Sequence, residues 1–342
     1  MNYPVDLPTL WFLLVGVLLV GYAILDGFDL GVGILLLRAK EDVDRRVLLN
    51  AIGPVWDGNE VWLVVGGGAL FAAFPDVYAT VFSGFYMPFM LLLVALIFRA
   101  VAIEFRSKEN SPRWRQTWDV SFAIASVLIA LLAGVALGNM VIGIPVDHHF
   151  EYQGGFFNLL NPYALIVGIT TVSVFAMHGA IYLVMKTEGE LQKRVKAWTK
   201  SATISFGVCY GVLTMATFVF APHMADRIRE TPALMLFPLV SLLSIANVPR
   251  EIAAGREVRA FVSSSIGIAS LLALFGLGTY PNLVISVPHP EHSLTIRNAA
   301  ASEATLTTMT TIALVGIPFV LSYTIAIYRI FRGKVDVGHL HY

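Results

Sequence analysis

Asp26 and Asp29, separated by Gly27 and Phe28, and Asp57 and Glu60, separated by Gly58 and Asn59, lie inside the first two long apolar stretches of the chain. An ionisable group near the centre of a membrane helix costs roughly 2.5–3.5 kcal/mol on insertion scales. Four such groups cost on the order of 10 kcal/mol without compensation. They need a partner, a proton or water, and the chemistry they offer is that of a proton or ion route. The i, i+3 spacing puts both carboxyls of a couplet on one helix face. Four carboxyls at comparable depth repel if all are ionised, so the layer reads as one that holds and exchanges protons. A static set of interhelical hydrogen bonds is the plainer alternative.

Two cations fall at similar depth. Arg99 either shares the acidic layer or, more simply, snorkels to the interface or pairs with Glu104. His178 is a core histidine with hydrogen-bonded nitrogens, or else a relay group or haem ligand. Trp56, beside Asp57, is an interfacial anchor or an aromatic edge turned toward a partner's cofactor. Cofactor ligands are otherwise scarce. His148, His149, His289 and His292 fall in external connections, His223 at a helix end, and His339 and His341 in the tail. A bis-His haem site needs two deep histidines, and no metal site is expected. The single cysteine, Cys209, excludes a disulfide within the chain and reads as a small core residue. The glycine patterns sit in apolar stretches and carry no nucleotide signal; nothing points to a nucleic acid partner. Most of the glycines read as close helix packing, with Gly27 and Gly58 also leaving room for water beside the acids.

These residues must be positioned by membrane helices. Hydrophobic residues make up 57% of the chain and charged ones 13%, against about 25% charged in soluble domains; the mean hydropathy is +0.73. Nine apolar windows are expected to span the membrane: 9–37, 50–73, 77–104, 115–141, 159–186, 199–222, 232–248, 258–280 and 305–331. Most reach the ~20 residues a span requires, and no connection between them is long enough for a soluble domain. The expected fold is therefore an all-α polytopic membrane protein forming one integral-membrane domain over 1–342, with two four-helix bundles and a peripheral ninth helix. Of the 23 Lys and Arg, all but Arg227, Arg229 and Arg297 fall on one side when connections are assigned alternately. By the positive-inside rule that side is cytoplasmic, with the N-terminus outside and the C-terminus inside. Met1–Leu10 has no basic residue, so the first segment reads as a permanent helix rather than a signal peptide. With the second window starting near Asn50, Asp57 is expected two turns in and Glu60 near the middle. Both couplets then occupy the cytoplasmic half of the bilayer.

The stretches 21–33 and 53–63, which carry the couplets, resemble subunit II of cytochrome bd-type quinol oxidases. So do Phe71–Pro75, Phe82–Tyr86, Phe105–Lys108 with Trp114–Trp118, and Asn158–Pro162. The likeness is dense over residues 10–190 and looser beyond. It implies a multi-pass subunit of a respiratory complex in a bacterial or archaeal plasma (inner) membrane, which oxidises quinol and reduces dioxygen. It implies that haem b and haem d are ligated by partner subunit I, not by this chain, that quinol is oxidised there, and that a small single-helix subunit joins the pair. A structural quinone occurs in some members; the sequence is silent on it. The positions matching Asp57, Asp26 and Asp29 are assigned there to proton conduction from the cytoplasm. Glu60 departs from the family pattern, which often has Gln at that place, and is the weakest member of the set.

The reading is therefore a subunit that supports the haem-bearing partner and conducts protons to its oxygen-reduction site. The alternatives are a proton-coupled secondary transporter, which suits midplane acids, and a purely structural scaffold.

Overall fold

The structure, a computed structural model, describes residues 6–336 and 338; His339 and His341 lie outside the described residues. Twelve α-helices follow one another: α1 (Leu7–Leu35), α2 (Asp42–Ile52), α3 (Trp56–Ala73), α4 (Pro75–Gly84), α5 (Tyr86–Phe105), α6 (Pro112–Ile142), α7 (Pro162–Lys186), α8 (Gly189–Phe220), α9 (Pro222–Glu230), α10 (Leu236–Ala253), α11 (Glu257–Thr279) and α12 (Glu303–Ile330). Many start at a proline, whose fixed φ suits the first turn and whose missing N–H is not needed there. A short antiparallel pair, β1 (Asn282–Val284) and β2 (Leu294–Thr295), lies in the connection before α12. Among the described residues, eight helices are long and apolar enough to cross a membrane. They correspond to eight of the nine expected windows.

The remaining window, 50–73, divides. Gly53, Pro54 and Val55 interrupt it, so α2 ends at Ile52 and α3 starts at Trp56. Pro54 has no N–H to continue the ladder. Asp57 therefore stands in the first turn of α3, not two turns inside a helix that starts near Asn50. The 18 residues of α3 extend about 27 Å at 1.5 Å per residue, close to the hydrocarbon thickness. Asp57, Asn59 and Glu60 keep the stretch from being as apolar as the other eight. The window 77–104 is divided more gently, at Phe85 between α4 and α5. Phe85 N–H still donates to Val81 O and Phe89 N–H to Phe85 O, while Pro88, one turn after Gly84, cannot donate.

α1 lies at the centre, against α3, α6, α7 and α11. Its approach to α7 is set by glycines: a Cβ on Gly31 would stand 1.9 Å from Phe175 O, and one on Gly179 would stand 2.4 Å from the Gly31 carbonyl carbon. Only two bare backbones fit such a crossing. Gly27 also packs, against the Phe175 ring, and leaves no space for water, whereas Gly58 is open. By contrast α12 is peripheral, with 6% of its span buried. Trp11 fastens its N-terminal half, donating from Nε1 to Leu306 O and Thr310 Oγ1 at 3.1 Å.

The two ends of the molecule are built differently. At one, the basic connections are knitted by ion pairs between α2, the stretch after α5, α6 and α8, and by Lys334 on Glu257 at 2.6 Å. At the other, the connections after α6 and α11 hold each other through Ser286, whose hydroxyl donates to Val146 O at 3.0 Å. The exposed or half-exposed histidines 148, 149, 289 and 292 gather there, with adjacent ring centroids 3.9–6.4 Å apart.

Candidate functional site

The first couplet is wholly inside the protein. Asp26 and Asp29, on the lower half of α1, are 0% exposed. Arg99 on α5, also 0% exposed, meets Asp26 as a bidentate fork: Nη1 donates to Oδ2 at 3.0 Å and Nη2 to Oδ1. Arg99 thus neither snorkels nor pairs with Glu104. Planar guanidinium–carboxylate pairing of this kind is strong and directional. Glu60 reaches the same guanidinium from α3, with Oε2 3.5 Å from Nη1, and its side chain remains 22% exposed. Three carboxyls and one guanidinium therefore share the space between α1, α3 and α5.

Asp29 has a different partner. Its Oδ2 accepts a hydrogen bond from Asn59 Nδ2 at 2.8 Å. Asn59 Oδ1 in turn accepts from the Tyr328 hydroxyl at 3.0 Å. Four polar atoms of this region are buried without a hydrogen-bond partner: Asp29 Oδ1, Glu60 Oε2, Arg99 Nε and the Tyr22 hydroxyl. Such atoms are normally satisfied by protein or ordered water.

The second couplet is split by its surroundings. Glu60 turns inward, while Asp57 is exposed on the outer face of α3 beside Val61, Val64 and Val65, which are also exposed. Positions i and i+3 on a helix differ by about 60°, enough to put one inside the seam and the other at its edge. Trp56 is buried, in one apolar cluster with Val47, Leu48 and Ile52, and presents no outward-facing edge.

His178 stays apart from the acids. It is fully buried, with Nδ1 2.7 Å from Ser264 Oγ, Nε2 3.0 Å from Ile24 O, and its ring stacked on Phe261. The carbonyl can only accept, so Nε2 carries the proton, while the one proton of the Ser264 hydroxyl is shared between Nδ1 and Phe261 O, 2.8 Å from Oγ. With both nitrogens engaged, this deep histidine fits a packing role and not that of a haem ligand. Among the described residues, no group of three or more His, Cys, Asp or Glu is placed to hold a metal ion. Cys209, partly exposed, lines a 250 Å³ cleft with Arg38, Ser201 and Ser205 and is not a core residue.

A second buried ion network lies closer to the basic end. Arg106 donates from Nε to Asp119 Oδ1 at 2.6 Å and from Nη2 to Asp42 Oδ1 at 2.7 Å. Arg45 adds a 3.0 Å pair to Asp119, and Arg115 a 2.9 Å pair to Asp42. Partial burial pushes the Asp42 carboxyl up, but the Arg106 hydrogen bond and the charges of Arg106, Arg115 and Arg46 outweigh it and hold the group below its ordinary value.

Asn59, Tyr328 and Tyr22 join the site only in the folded structure. An amide within an apolar stretch is itself a signal, because it needs a partner as a carboxyl does. The two tyrosines carry no such mark.

The fold and the site define a polytopic helical membrane protein whose core holds an ion-paired carboxyl cluster. Residues 7–331 match the cytochrome bd terminal oxidase subunit II family. The chain is 38% identical over 361 residues to the cytochrome bd-I ubiquinol oxidase subunit 2 of Escherichia coli (strain K12), covering 95% of this chain and 94% of that protein. It is 34% identical over 337 residues to the cytochrome bd ubiquinol oxidase subunit 2 of Bacillus subtilis (strain 168), covering 97% of each. The fold is that of a chain in the structure of bd oxidase from Geobacillus thermodenitrificans, with a TM-score of 0.79 at 16% identity, covering 95% of this chain and 98% of that one. The chain therefore belongs to the cytochrome bd terminal oxidase subunit II family, as a multi-pass plasma-membrane subunit of a bacterial respiratory oxidase.

Proposed function

We propose that this chain conducts protons from the cytoplasmic side to the oxygen-reduction site of its partner, subunit I, in a complex that oxidises ubiquinol, the substrate in the names of its relatives. The observation that carries the reading is the buried set Asp26, Asp29, Glu60 and Arg99, with Asp57 outside it on an exposed apolar face. With every group ionised, the buried set carries more negative than positive charge in a medium of low dielectric. Protons or water must make up the difference. A carboxyl facing lipid is costly, so Asp57 favours a protein surface against α3. The order we propose runs from the basic end near residues 38–50 or 105–114 to Asp26 and Asp29, on to Asp57, and across to the partner. Glu60 assists through Arg99.

This reading includes α3 as a ninth span, which the helix pattern favours: α1, α3, α5 and α6 form one four-helix group, α7, α8, α10 and α11 the other, and α12 stands outside. The basic end is cytoplasmic and the N-terminus external, as the charge asymmetry favours. Haem b and haem d belong to subunit I, in keeping with the engaged nitrogens of His178. A small single-helix subunit and a structural quinone complete the complex on family grounds.

One observation favours a scaffold reading instead. The Asp26–Arg99 fork is fully buried and bidentate, which suits a static pair. Replacing Asp57 with Asn separates the two. Conduction predicts lower oxidase turnover with the haem spectrum of the assembled complex intact. A scaffold predicts haem and assembly lost together.

A further inference from the structure

Asn59 is the joint between the buried acids and the peripheral helix. Its Nδ2 donates twice, to Asp29 Oδ2 at 2.8 Å and to Leu25 O at 3.2 Å, and its Oδ1 accepts from Tyr328 at 3.0 Å. An amide has two N–H donors and one carbonyl, and here both kinds of group are used. Turning it over would set its carbonyl against a carboxylate and a backbone carbonyl, both acceptors. The Tyr328 hydroxyl therefore reinforces one orientation of Asn59, and Asn59 fixes one orientation of Asp29. The outcome is an asymmetric carboxyl. Oδ2 is occupied, and Oδ1 is buried without a partner.

A carboxyl held in this way has one oxygen for exchange. The amide cannot pass a proton from Tyr328 to Asp29 without becoming an imidic acid, so the Tyr328–Asn59–Asp29 chain is not a wire. Its effect is to aim Oδ1. Tyr328 lies three residues before Phe331, where α12 ends, and Lys186 Nζ donates to Phe331 O at 2.6 Å. The inner end of α12 is therefore tied both to the acids and to the end of α7, although most of the helix is exposed.

We propose that Asn59 and Tyr328 are positioning residues that present Asp29 Oδ1 as the single proton-exchanging oxygen of the buried couplet, so that α12 sets the competence of the relay. This rests on the conduction reading above and adds to it the atom at which exchange takes place and the residues that select it.

The test is infrared difference spectroscopy with turnover, on the intact purified complex. The band of Asp29, protonated or ionised, is the carboxyl feature that Asp29→Asn removes. Tyr328→Phe keeps the ring and deletes the hydroxyl; Asn59→Leu deletes the amide and guards against one variant failing to assemble. The expected result is a displaced Asp29 band in both, with turnover reduced severalfold in Tyr328→Phe and more in Asn59→Leu, and an increased solvent deuterium effect on the rate. Haem absorption remains that of the wild type. An Asp29 band at its wild-type position in both variants overturns the inference, as does unchanged turnover in both. Full turnover in Asp29→Asn overturns the conduction reading instead, and the band positions then still decide whether the orientation is set as described.

Discussion

The protein buries two arginines against aspartates, and the two settings differ in their balance. Arg106 pairs with Asp119 and Asp42, and Arg45 and Arg115 bind the same two acids. Cations there at least match carboxylates, and Asp42 remains 43% exposed to water. Arg99 instead faces Asp26 and Glu60, with Asp29 close by, and among the described residues it is the one guanidinium bonded to the set. Partners of both signs fasten connections to helices and need no further ion. The deep cluster has more acids than cations, and Asp29 Oδ1 and Arg99 Nε are buried without a hydrogen-bond partner, which is the ground for proposing that a mobile proton or water completes its charge. A buried Arg–Asp pair is therefore not in itself a sign of transport. The uncompensated acids beside it are what suggest transport.

The largest effect is expected where the deep balance is broken. Arg99→Leu leaves Asp26 buried without its partner, a change that costs about 3–5 kcal/mol. Little assembled complex should be recovered, and adding Asp26→Asn should restore part of it. Recovery of the single variant at the wild-type level, measured as haem per membrane protein, would break the contrast.

Arg106→Leu is expected to be milder, because Asp119 keeps Arg45 at 3.0 Å. A loss of roughly 1–3 kcal/mol should lower the thermal unfolding temperature of the complex and leave turnover per haem unchanged. Reduced turnover in a fully assembled Arg106→Leu complex would place the Arg106 network in the proton route and erase the distinction.

The smallest effect is one of pH. The folded protein holds the Asp42 carboxyl below its ordinary value. Its contribution to stability is therefore complete above the unfolded-state pKa and disappears as pH falls through the depressed folded-state value. In thermal unfolding from neutral pH down to the carboxylate range, the wild type should lose stability more steeply than Asp42→Asn. Parallel curves would show that this network is not ionised as described.

Much of this architecture is legible in the residues. Long apolar windows report spans because a bilayer admits only helices with satisfied backbones, and eight windows correspond to helices of the structure. Pro54 was visible, yet a proline in an apolar stretch can begin, kink or end a helix, and the choice is made by packing. The burial of Asp26 and Asp29 follows from a segment of α1 enclosed on several sides, with Gly27 and Gly31 against α7 and Gly33 against α6. The exposure of Asp57 does not follow, because i, i+3 spacing fixes a face but not which neighbour covers it. Arg99 is expected to share the acidic layer or to pair with Glu104, and its partner is Asp26, 73 residues away. Tyr328, 269 residues from Asn59, has no local signature at all.

The central claim is that carboxyls of this chain carry protons for chemistry done elsewhere. The most direct measurement is quinol-driven oxygen consumption and proton uptake by the Asp57→Asn complex in liposomes, with its haem spectrum recorded beforehand. The account predicts wild-type haem bands with both rates lowered roughly tenfold, equivalent to about 1.4 kcal/mol on the barrier. Full turnover and full proton uptake in a correctly assembled Asp57→Asn complex would contradict it.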